Sequence, residues 1–260
     1  MRYGGHTSCV AIYRDGEERP SLILDAGTGV REVTGLLDGH AFAGTILLTH
    51  LHWDHVQGLP FFAGGDRDDA QVRLVLPEQE DSADAISVLA RAISPPHFPV
   101  TPRELRGRWS FEAAPEGEWE AEGLRVLARE VPHKGGRTFG YRISDGRSTL
   151  TYIPDHCPTA YGPGPDGLGE YHPAALALAA GTHVLIHDGQ IFPGELQASA
   201  QYGHAVTDYA RQLARRADSQ SLVLFHHRPD RTDAQLATLA AELAEEDHTT
   251  VAAQGETLEA

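Results

Sequence analysis

Four residues of metal-ligating type stand within six positions of the chain, in the run His50-Leu51-His52-Trp53-Asp54-His55. Neutral imidazole and carboxylate groups suit Zn²⁺, Mn²⁺ or iron, so this run can bind metal without a thiolate. Side chains this close in sequence cannot all face one way on a strand or a regular helix. On a tight loop that leaves a strand they can surround two ions, and we predict a metal site on such a loop.

Three more residues of ligand type stand where predicted strands end. They are His133 after Leu124–Val131, Asp155 after Thr149–Ile153, and His226 after Ser221–Phe225. Strand ends at one edge of a sheet converge on one crevice, so these side chains are expected to join the run at His50–His55. His227 is adjacent to His226 and is the alternative ligand at that strand end.

The run matches the His-x-His-x-Asp-His signature of the metallo-β-lactamase superfamily, and His133, Asp155 and His226 stand in the order of that family. The chain resembles this superfamily over nearly its whole length. The resemblance implies an α/β (α+β) protein with the αββα sandwich fold, the metals at one edge, and a single hydrolase domain over residues 1–260.

The resemblance also implies two divalent metal ions, with zinc expected and manganese or iron as alternatives. By that similarity, His50, His52 and His133 hold the first ion, Asp54, His55 and His226 hold the second, and Asp155 bridges the two. His226 is favoured over His227 because it directly follows the strand, as the family pattern requires. His156 is expected beside the ligands or at the surface.

Three segments of the second half resemble the ribonuclease Z and phosphodiesterase branch of the superfamily: Leu185–Gln190, Tyr202–Ala205 and Leu222–Pro229. In that branch a histidine with an acidic partner sits beside the metals and helps the leaving group depart. By position, His204 corresponds to that histidine and Asp188 to its partner. The alternatives are that His204 caps the helix that follows it and that Asp188 caps neighbouring backbone.

The function implied by the resemblance is a dinuclear metal-dependent hydrolase. We expect a phosphodiesterase that acts on a small phosphodiester through a metal-bridging hydroxide, with Asp54, His204 and Asp188 as catalytic residues. The alternative is an acyl hydrolase of esters, thioesters, lactones or lactams, since one dimetal site serves both chemistries. A di-iron redox protein is disfavoured because such relatives place Glu where this chain has His52. The complete ligand set disfavours a metal-binding module without catalysis.

The charge of the chain bears on its partners. It has 37 acidic and 21 basic residues, a formal net charge of −16. A surface this acidic repels a polyanion, and the long Gly-rich basic arm with which ribonuclease Z grips tRNA has no counterpart here. The expected partner is therefore a small anionic substrate rather than a long nucleic acid. A homodimer is left open.

The ligand positions require a framework of short strands, and the sequence predicts one. Apolar runs bounded by turns predict strands at Ser8–Tyr13, Ser21–Asp25, Thr45–Thr49, Val72–Leu76, Ser110–Ala113, Leu124–Val131, Thr138–Ser144, Thr149–Ile153, Val184–Asp188 and Ser221–Phe225. Apolar residues at helical spacing predict helices over Ile86–Ile93, Val206–Ala217 and Leu236–Ala244.

The remaining composition points to a cytoplasmic protein. No apolar run approaches the roughly 18 residues needed to cross a bilayer. The first residues, Met1–His6, lack the apolar core of a signal peptide. Cys9 and Cys157 form no pattern and are expected to be free thiols, Cys157 serving in packing.

Overall fold

The computed structural model describes residues 2–79, 84–244 and 248–260. The chain divides into two compact units. The N-terminal unit comprises His6–Glu116 and Glu120–Gly123, and the C-terminal unit comprises Leu124–Ala260, Gly117–Trp119 and the chain start up to Gly5. Each unit has its own cluster of buried apolar side chains. The single-domain organisation inferred from the sequence stays a prediction.

A five-stranded sheet forms the centre of the N-terminal unit. Its strands lie in chain order: β1 (Val10–Ile12), β2 (Leu22–Leu24), β3 (Ala43–Leu47), β4 (Gln71–Pro77) and β5 (Arg108–Ala114). β1 and β2 are antiparallel, and the other neighbours are parallel. In the parallel register Leu24 lies beside Leu47. The residues that follow β2 and β3 therefore leave the sheet at the same edge.

Short helices connect these strands. They are α1 (Val30–Val33), α2 (Trp53–Val56) and α3 (Ala85–Ala90), with 3₁₀ turns at Thr34–Leu37, Leu59–Phe61 and Pro102–Glu104. α3 begins where the Asp84 carboxylate accepts a hydrogen bond from the Ser87 N–H, as a helix N-cap does. The predicted helix over Ile86–Ile93 is confirmed in position but ends at Ala90, before the two prolines.

A seven-stranded sheet forms the centre of the C-terminal unit. Its order is β12 (Thr249–Val251), β11 (Ser221–Phe225), β10 (Val184–Asp188), β9 (Thr149–Ile153), β8 (Phe139–Ser144), β7 (Leu124–Glu130) and β6 (Gly117–Ala121). β9, β10, β11 and β12 are parallel, whereas β7, β8 and β9 pair antiparallel. The parallel register aligns Ile153 with His187, and Asp188 with Phe225. The residues after β9, β10 and β11 are thereby brought to one edge of this sheet.

The helices of the C-terminal unit are α4 (Pro173–Ala179), α5 (Leu196–Tyr202), α6 (Thr207–Arg216) and α7 (Asp233–Leu243). α6 buries Tyr209, Ala210, Leu213 and Ala214, the apolar stripe that predicted it. α7 begins with a capping box in which Thr232 and Gln235 bond each other's backbone N–H. In the part of the chain that is described, no helix combines the length and hydropathy needed to span a membrane.

Every strand predicted from the sequence is present, with ends that differ by a few residues. The prediction missed two strands, β6 and β12, and four helices, α1, α2, α4 and α5. β12 has only three residues, too few for a recognisable alternation, and α4 is an alanine-rich segment without polar residues to mark a helical face. Cys9 and Cys157 are both free, as expected.

Candidate metal centre

The N-terminal unit carries the ligand run at the exit of β3. His50, Leu51 and His52 lie outside regular structure, and His52 is the N-cap of the single-turn helix α2. Asp54 and His55 therefore lie on a helical turn, and the prediction of a loop for the whole run is wrong for its second half. The turn begins where the His55 N–H donates to the His52 carbonyl at 3.0 Å.

Asp25, the residue after β2, orients two of these imidazoles. Its carboxylate lies 2.8 Å from Nδ1 of His55, and both side chains are fully buried. The Thr49 backbone N–H and hydroxyl also donate to Asp25, at 2.7 Å and 2.9–3.0 Å. Because the single hydroxyl proton of Thr49 is directed to Asp25, its oxygen is left to accept from Nδ1 of His50, 3.1 Å away. Both rings then present a bare Nε2, the form that binds metal.

Asp25 is the residue of this candidate site that sequence reasoning missed. The signal was available, since an acidic residue follows the apolar run Leu22–Leu24 just as Asp155 follows β9. The Asp25 backbone has φ +58°, a left-handed conformation that costs energy in a residue other than glycine. Such strain is typical of residues held in place for a functional geometry.

Asp25→Asn is expected to weaken zinc binding by about 10- to 100-fold, as measured by competition with a chromogenic chelator. The amide can still accept from Thr49, but its NH₂ group would face Nδ1 of His55, forcing the proton of that ring onto Nε2. Asn tolerates the left-handed backbone, so this change is chemical rather than steric. Asp38→Asn is the matched control, because Asp38 is an exposed aspartate that also has a positive φ, +47°. Unchanged zinc affinity in Asp25→Asn would contradict the orienting role.

The other two ligand-type residues of the run lie next to these rings. The centroids of the His50 and His52 rings are 4.5 Å apart, and those of His50 and His55 are 4.1 Å apart. A carboxylate oxygen of Asp54 lies 3.6 Å from Nε2 of His55, and the Asp54 side chain is 39% exposed. Asp54 and His55 can therefore contribute ligand atoms to one ion, as the family resemblance implies.

Asp155 is the central carboxylate of the C-terminal unit. It follows β9 and is buried, with Oδ2 3.3 Å from Nε2 of His133 and Oδ1 3.4 Å from Nε2 of His226. Its two oxygens thus face two different imidazoles. A carboxylate in this arrangement can share two cations, one on the His133 side and one on the His226 side.

The donor set around Asp155 fits a bound metal. Nδ1 of His133 lies 2.7 Å from the Gly203 carbonyl, which can only accept, so Nδ1 carries the proton and Nε2 is bare in the neutral ring. A bare nitrogen and a carboxylate oxygen repel each other at contact distance unless a cation or a proton lies between them. Two ligand atoms of a tetrahedral zinc site with bonds of about 2.1 Å are about 3.4 Å apart. The 3.3 Å distance on the His133 side of Asp155 matches this spacing. On the His226 side the Gln190 amide donates to Nδ1, so in the neutral ring the proton lies on Nε2, 3.4 Å from Asp155.

The backbone turn at Gly203 requires a residue without a side chain. Its backbone has φ +86°, and a Cβ atom there would lie 3.0 Å from the aliphatic stem of Lys134. The Lys134 ammonium donates to the Gln201 carbonyl, and His133 donates to Gly203 itself. Two successive residues of the loop after β7 thereby hold the segment that leads into His204.

Gly203→Ala is expected to lower both zinc content and turnover, by about 10- to 100-fold in zinc affinity, because it displaces the carbonyl that orients His133. Gly194→Ala is the matched control: Gly194 has the same φ of +86°, but nothing lies within 4 Å of the position of an added Cβ. Zinc content and kcat of the two variants would be compared by elemental analysis and steady-state kinetics. An equal loss in both variants would mean that backbone strain alone is responsible.

His226 and His227 point to different surroundings. The His226 backbone has φ +57°, and Nδ1 of its ring lies 2.9 Å from the amide nitrogen of Gln190. Nε2 of His227 instead bonds the Ala252 carbonyl at 3.0 Å, and its ring meets Tyr3 edge to face. The left-handed backbone turns the His226 ring towards Asp155, whereas the His227 ring packs against Tyr3.

His204 and Asp188 lie together beside Asp155. Nδ1 of His204 is 2.9 Å from Oδ2 of Asp188 and 3.8 Å from Oδ2 of Asp155. Asp188 is fully buried and also accepts from the backbone N–H groups of His156, Gln190 and Ala205. Ligand atoms of Asp155, His204 and His226 lie within 4.8 Å of one another, so His204 could also bind an ion. Because Asp188 occupies its Nδ1, only Nε2 of His204 is available for either role.

Two further imidazole rings, those of His156 and His187, lie close to Asp188. Nδ1 of His156 is 3.0 Å from Nε2 of His187, and Nδ1 of His187 is 3.0 Å from the Asp188 carbonyl. Desolvation by burial, the largest cause, lowers the pKa of His156 well below its ordinary value and also lowers that of His187. Burial therefore favours the neutral form of both rings. His156 is fully buried, so the surface position considered from the sequence is wrong.

Comparison with proteins of known structure identifies the fold. YhfI from Bacillus subtilis, a metallo-β-lactamase fold protein, superposes with a TM-score of 0.70 at 16% identity, over 97% of this chain and 92% of that protein. The short form of human tRNase Z superposes with a TM-score of 0.66 at 17% identity, over 97% and 92% of the two chains. The metallo-β-lactamase fold predicted from the sequence is confirmed.

Sequence comparison agrees with this result. The ribonuclease Z of Salinibacter ruber is 24% identical over 300 residues, covering 93% of this chain and 87% of that protein. The resemblance to ribonuclease Z is thereby confirmed at the level of sequence. The family model described as the β-lactamase superfamily domain matches residues 22–227, a range that includes every ligand-type residue described above. The chain belongs to the β-lactamase superfamily.

Proposed function

We propose that this protein is a dinuclear metal-dependent hydrolase of small phosphodiesters. The observation that carries the proposal is the arrangement around Asp155, whose two oxygens face Nε2 of His133 and of His226, with the His204–Asp188 pair adjacent. We propose that these residues and those of the run His50–His55 together hold two ions, in the pattern implied by the family. Zinc is the proposed metal, with manganese and iron as alternatives.

The protein would hold the ions through side chains already oriented by neighbours. In this proposal His50, His52 and His133 bind one ion, Asp54, His55 and His226 bind the other, and Asp155 binds both. When bound, two divalent ions supply a water that is nucleophilic near neutral pH and positive charge for the phosphate oxygens. Asp25 and Gly203 keep the imidazoles in the tautomer with a bare Nε2.

His204 would act on the leaving group. With its Nδ1–H held by Asp188, the ring can carry a second proton on Nε2 and is stabilised in that charged form by the carboxylate. As the bond between phosphorus and the ester oxygen breaks, the Nε2 proton passes to the departing alkoxide. This role favours a phosphodiester with a poor leaving group, which needs a proton to depart.

The charge of the chain supports a small substrate. With a net charge of −16, the protein repels a long polyanion beyond the immediate range of the two cations. A single small diester requires positive charge only at its phosphate, where the ions supply it. The proposed setting is the cytoplasm, where free thiols such as Cys9 and Cys157 are stable.

The proposal is tested by hydrolysis of bis(p-nitrophenyl) phosphate by zinc-loaded protein, with p-nitrophenyl acetate assayed in parallel. We expect turnover of the diester that disappears with a chelator and returns when zinc is restored. Turnover of the acetate alone would replace the phosphodiesterase proposal with an acyl hydrolase. Turnover that persists in chelator-treated protein would refute the metal-dependent mechanism.

A further inference from the structure

The two imidazoles that flank Asp155 carry their hydrogens on opposite nitrogens. Nδ1 of His133 lies 2.7 Å from the Gly203 carbonyl, which can only accept, so in the neutral ring Nδ1 holds the hydrogen and Nε2 is bare. Nδ1 of His226 lies 2.9 Å from the Gln190 amide nitrogen, which can only donate, so Nδ1 is bare and Nε2 holds the hydrogen. The two Nε2 atoms that face Asp155 at 3.3 and 3.4 Å are therefore in different states.

The hydrogen on Nε2 prevents His226 from acting as a metal ligand. A ring nitrogen that bears a hydrogen has no lone pair to donate to a cation, and here the Nε2–H group faces Oδ1 of Asp155 instead. This arrangement differs from the ligand role that the family resemblance implies. The ring can become a ligand only when its hydrogen lies on Nδ1, the nitrogen to which Gln190 donates.

The position of the His226 ring suits both tautomers. Its backbone has φ +57°, and the ring stacks on that of His204 with centroids 5.2 Å apart and planes at 20°. In a change of tautomer, Nε2 gives up a proton to solvent and Nδ1 takes one from solvent. The ring stays neutral and its heavy atoms keep their places, so Nε2 faces Asp155 in either form.

Gln190 can follow this change by rotation of its amide group. Its backbone N–H donates to Oδ1 of Asp188 at 3.0 Å and the residue is buried, so the side chain stays beside His226. Half a turn about the last side-chain bond exchanges the amide oxygen and nitrogen, and this torsion is roughly two-fold. Among residues 2–79, 84–244 and 248–260, His226 is the only hydrogen-bond partner of the Gln190 side chain. The rotation therefore breaks no second hydrogen bond within this part of the chain.

We propose that Gln190 is a positioning residue whose amide orientation decides whether His226 can bind a metal ion. With the NH₂ group towards Nδ1, the ring keeps its hydrogen on Nε2. With the amide oxygen towards Nδ1, Gln190 accepts from Nδ1–H and Nε2 is bare. The inference rests on the proposed function, in which His226 is a ligand, and it concerns the assembly of that site. His133 has a single state, because the backbone carbonyl of Gly203 can only accept.

The tautomers can be read from the side-chain resonances of wild-type protein labelled with ¹⁵N-histidine, before and after addition of zinc. Spectra of His133→Asn and His226→Asn assign the two rings. In metal-free protein we expect the hydrogen of His226 on Nε2 and that of His133 on Nδ1, and with zinc we expect both on Nδ1. A metal-free His226 ring with its hydrogen on Nδ1 would overturn the inference.

Two substitutions of Gln190 test the amide itself through the zinc affinities, measured by competition with a chromogenic chelator. Gln190→Glu can only accept, so we expect it to raise the affinity for one of the two ions about tenfold. Gln190→Met can neither donate nor accept, and we expect it to lower the same affinity about tenfold, because a hydrogen bond from a metal-bound ring is stronger than one to a neutral ring. Gln212→Glu and Gln212→Met are the matched controls, because Gln212 contacts Tyr171 elsewhere in the same unit.

The outcomes separate the role of Gln190 from the proposed function. Loss of affinity in Gln190→Met together with a gain in Gln190→Glu supports the inference, since a packing defect would lower both. Equal affinities in wild type and both variants would overturn it and leave the metal site intact. If wild type binds no zinc, the proposed function fails. The resonances of metal-free Gln190→Glu then decide the inference: a hydrogen on Nδ1 of His226 supports it, and a bare Nδ1 overturns it.

Discussion

The Asp155→Asn variant is expected to lose at least about 10³-fold in hydrolysis of bis(p-nitrophenyl) phosphate, because in the proposed dinuclear site the two ions would lose the anion that they share. Asn keeps the shape of the side chain but offers one neutral oxygen in place of two charged ones. Nε2 of His133 and Nε2 of His226 then have no common carboxylate at 3.3 and 3.4 Å. Zinc content measured after gel filtration should fall from two ions towards one or none.

The thermal stability of this variant distinguishes a metal ligand from a structural aspartate. Without metal, Asp155 faces two imidazole nitrogens in a buried position, so Asn should leave the melting temperature of the metal-free protein unchanged or raise it. With zinc present, wild type should gain stability by mass action and the variant should gain much less. Asp208→Asn, a change in a surface ion pair with Arg211, is the control. A variant that is destabilised equally with and without zinc would indicate a structural role.

His204→Ala is expected to reduce turnover by about 10²- to 10⁴-fold when the leaving group is an alcohol, the range for loss of a general acid. The loss should be far smaller for bis(p-nitrophenyl) phosphate, because p-nitrophenolate is a stable anion and departs without a proton. The physical basis is the 2.9 Å contact between Nδ1 of His204 and Asp188, which leaves Nε2 as the ring nitrogen that can carry the transferred proton. Steady-state rates on an alkyl and an aryl diester would be compared in wild type and variant.

Dependence on the leaving group is the internal control of this experiment. If His204 binds an ion, turnover of both diesters should fall by the same factor and zinc content should fall with it. His204 does not cap α6, whose N-cap is Val206, so the helix-capping alternative is wrong. If His204 only stabilises the fold through its contact with Asp188, both rates should stay near wild type and the free energy of unfolding should decrease. Asp188→Asn should give the same leaving-group dependence as His204→Ala, to a smaller extent. The His204 ring remains in place as the proton donor, but it loses the negative charge beside it.

The sequence by itself determined the ligand run and the family. A His-x-His-x-Asp-His pattern is rare enough to identify the chemistry, and alternation and apolar runs place strands that end at Asp188 and just before Asp155 and His226. The family model over residues 22–227 and the superposed structures confirm the family and the fold. The division of ligands between two ions remains an expectation from the family until zinc content and variants are measured.

The tertiary structure decided which groups orient the ligands. Asp25 and Thr49 are 24 residues apart in sequence, and only the parallel pairing of β2 and β3 places the Asp25 carboxylate against Thr49 and His55. Gly203 is 70 residues from His133, whose ring it orients through a backbone carbonyl that no side-chain pattern can reveal.

The structure also separated residues that are equivalent in sequence. His226 and His227 are neighbours of identical type, and the left-handed backbone at His226, φ +57°, sends the two rings in different directions. Adjacent aromatic residues are separated in the same way. Phe61 lies on the surface and Phe62 lies in the core, although both belong to one apolar run. The local sequence shows which residue types stand near the end of each strand. Backbone conformation and long-range packing decide where each side chain points, because they depend on residues far away in the chain.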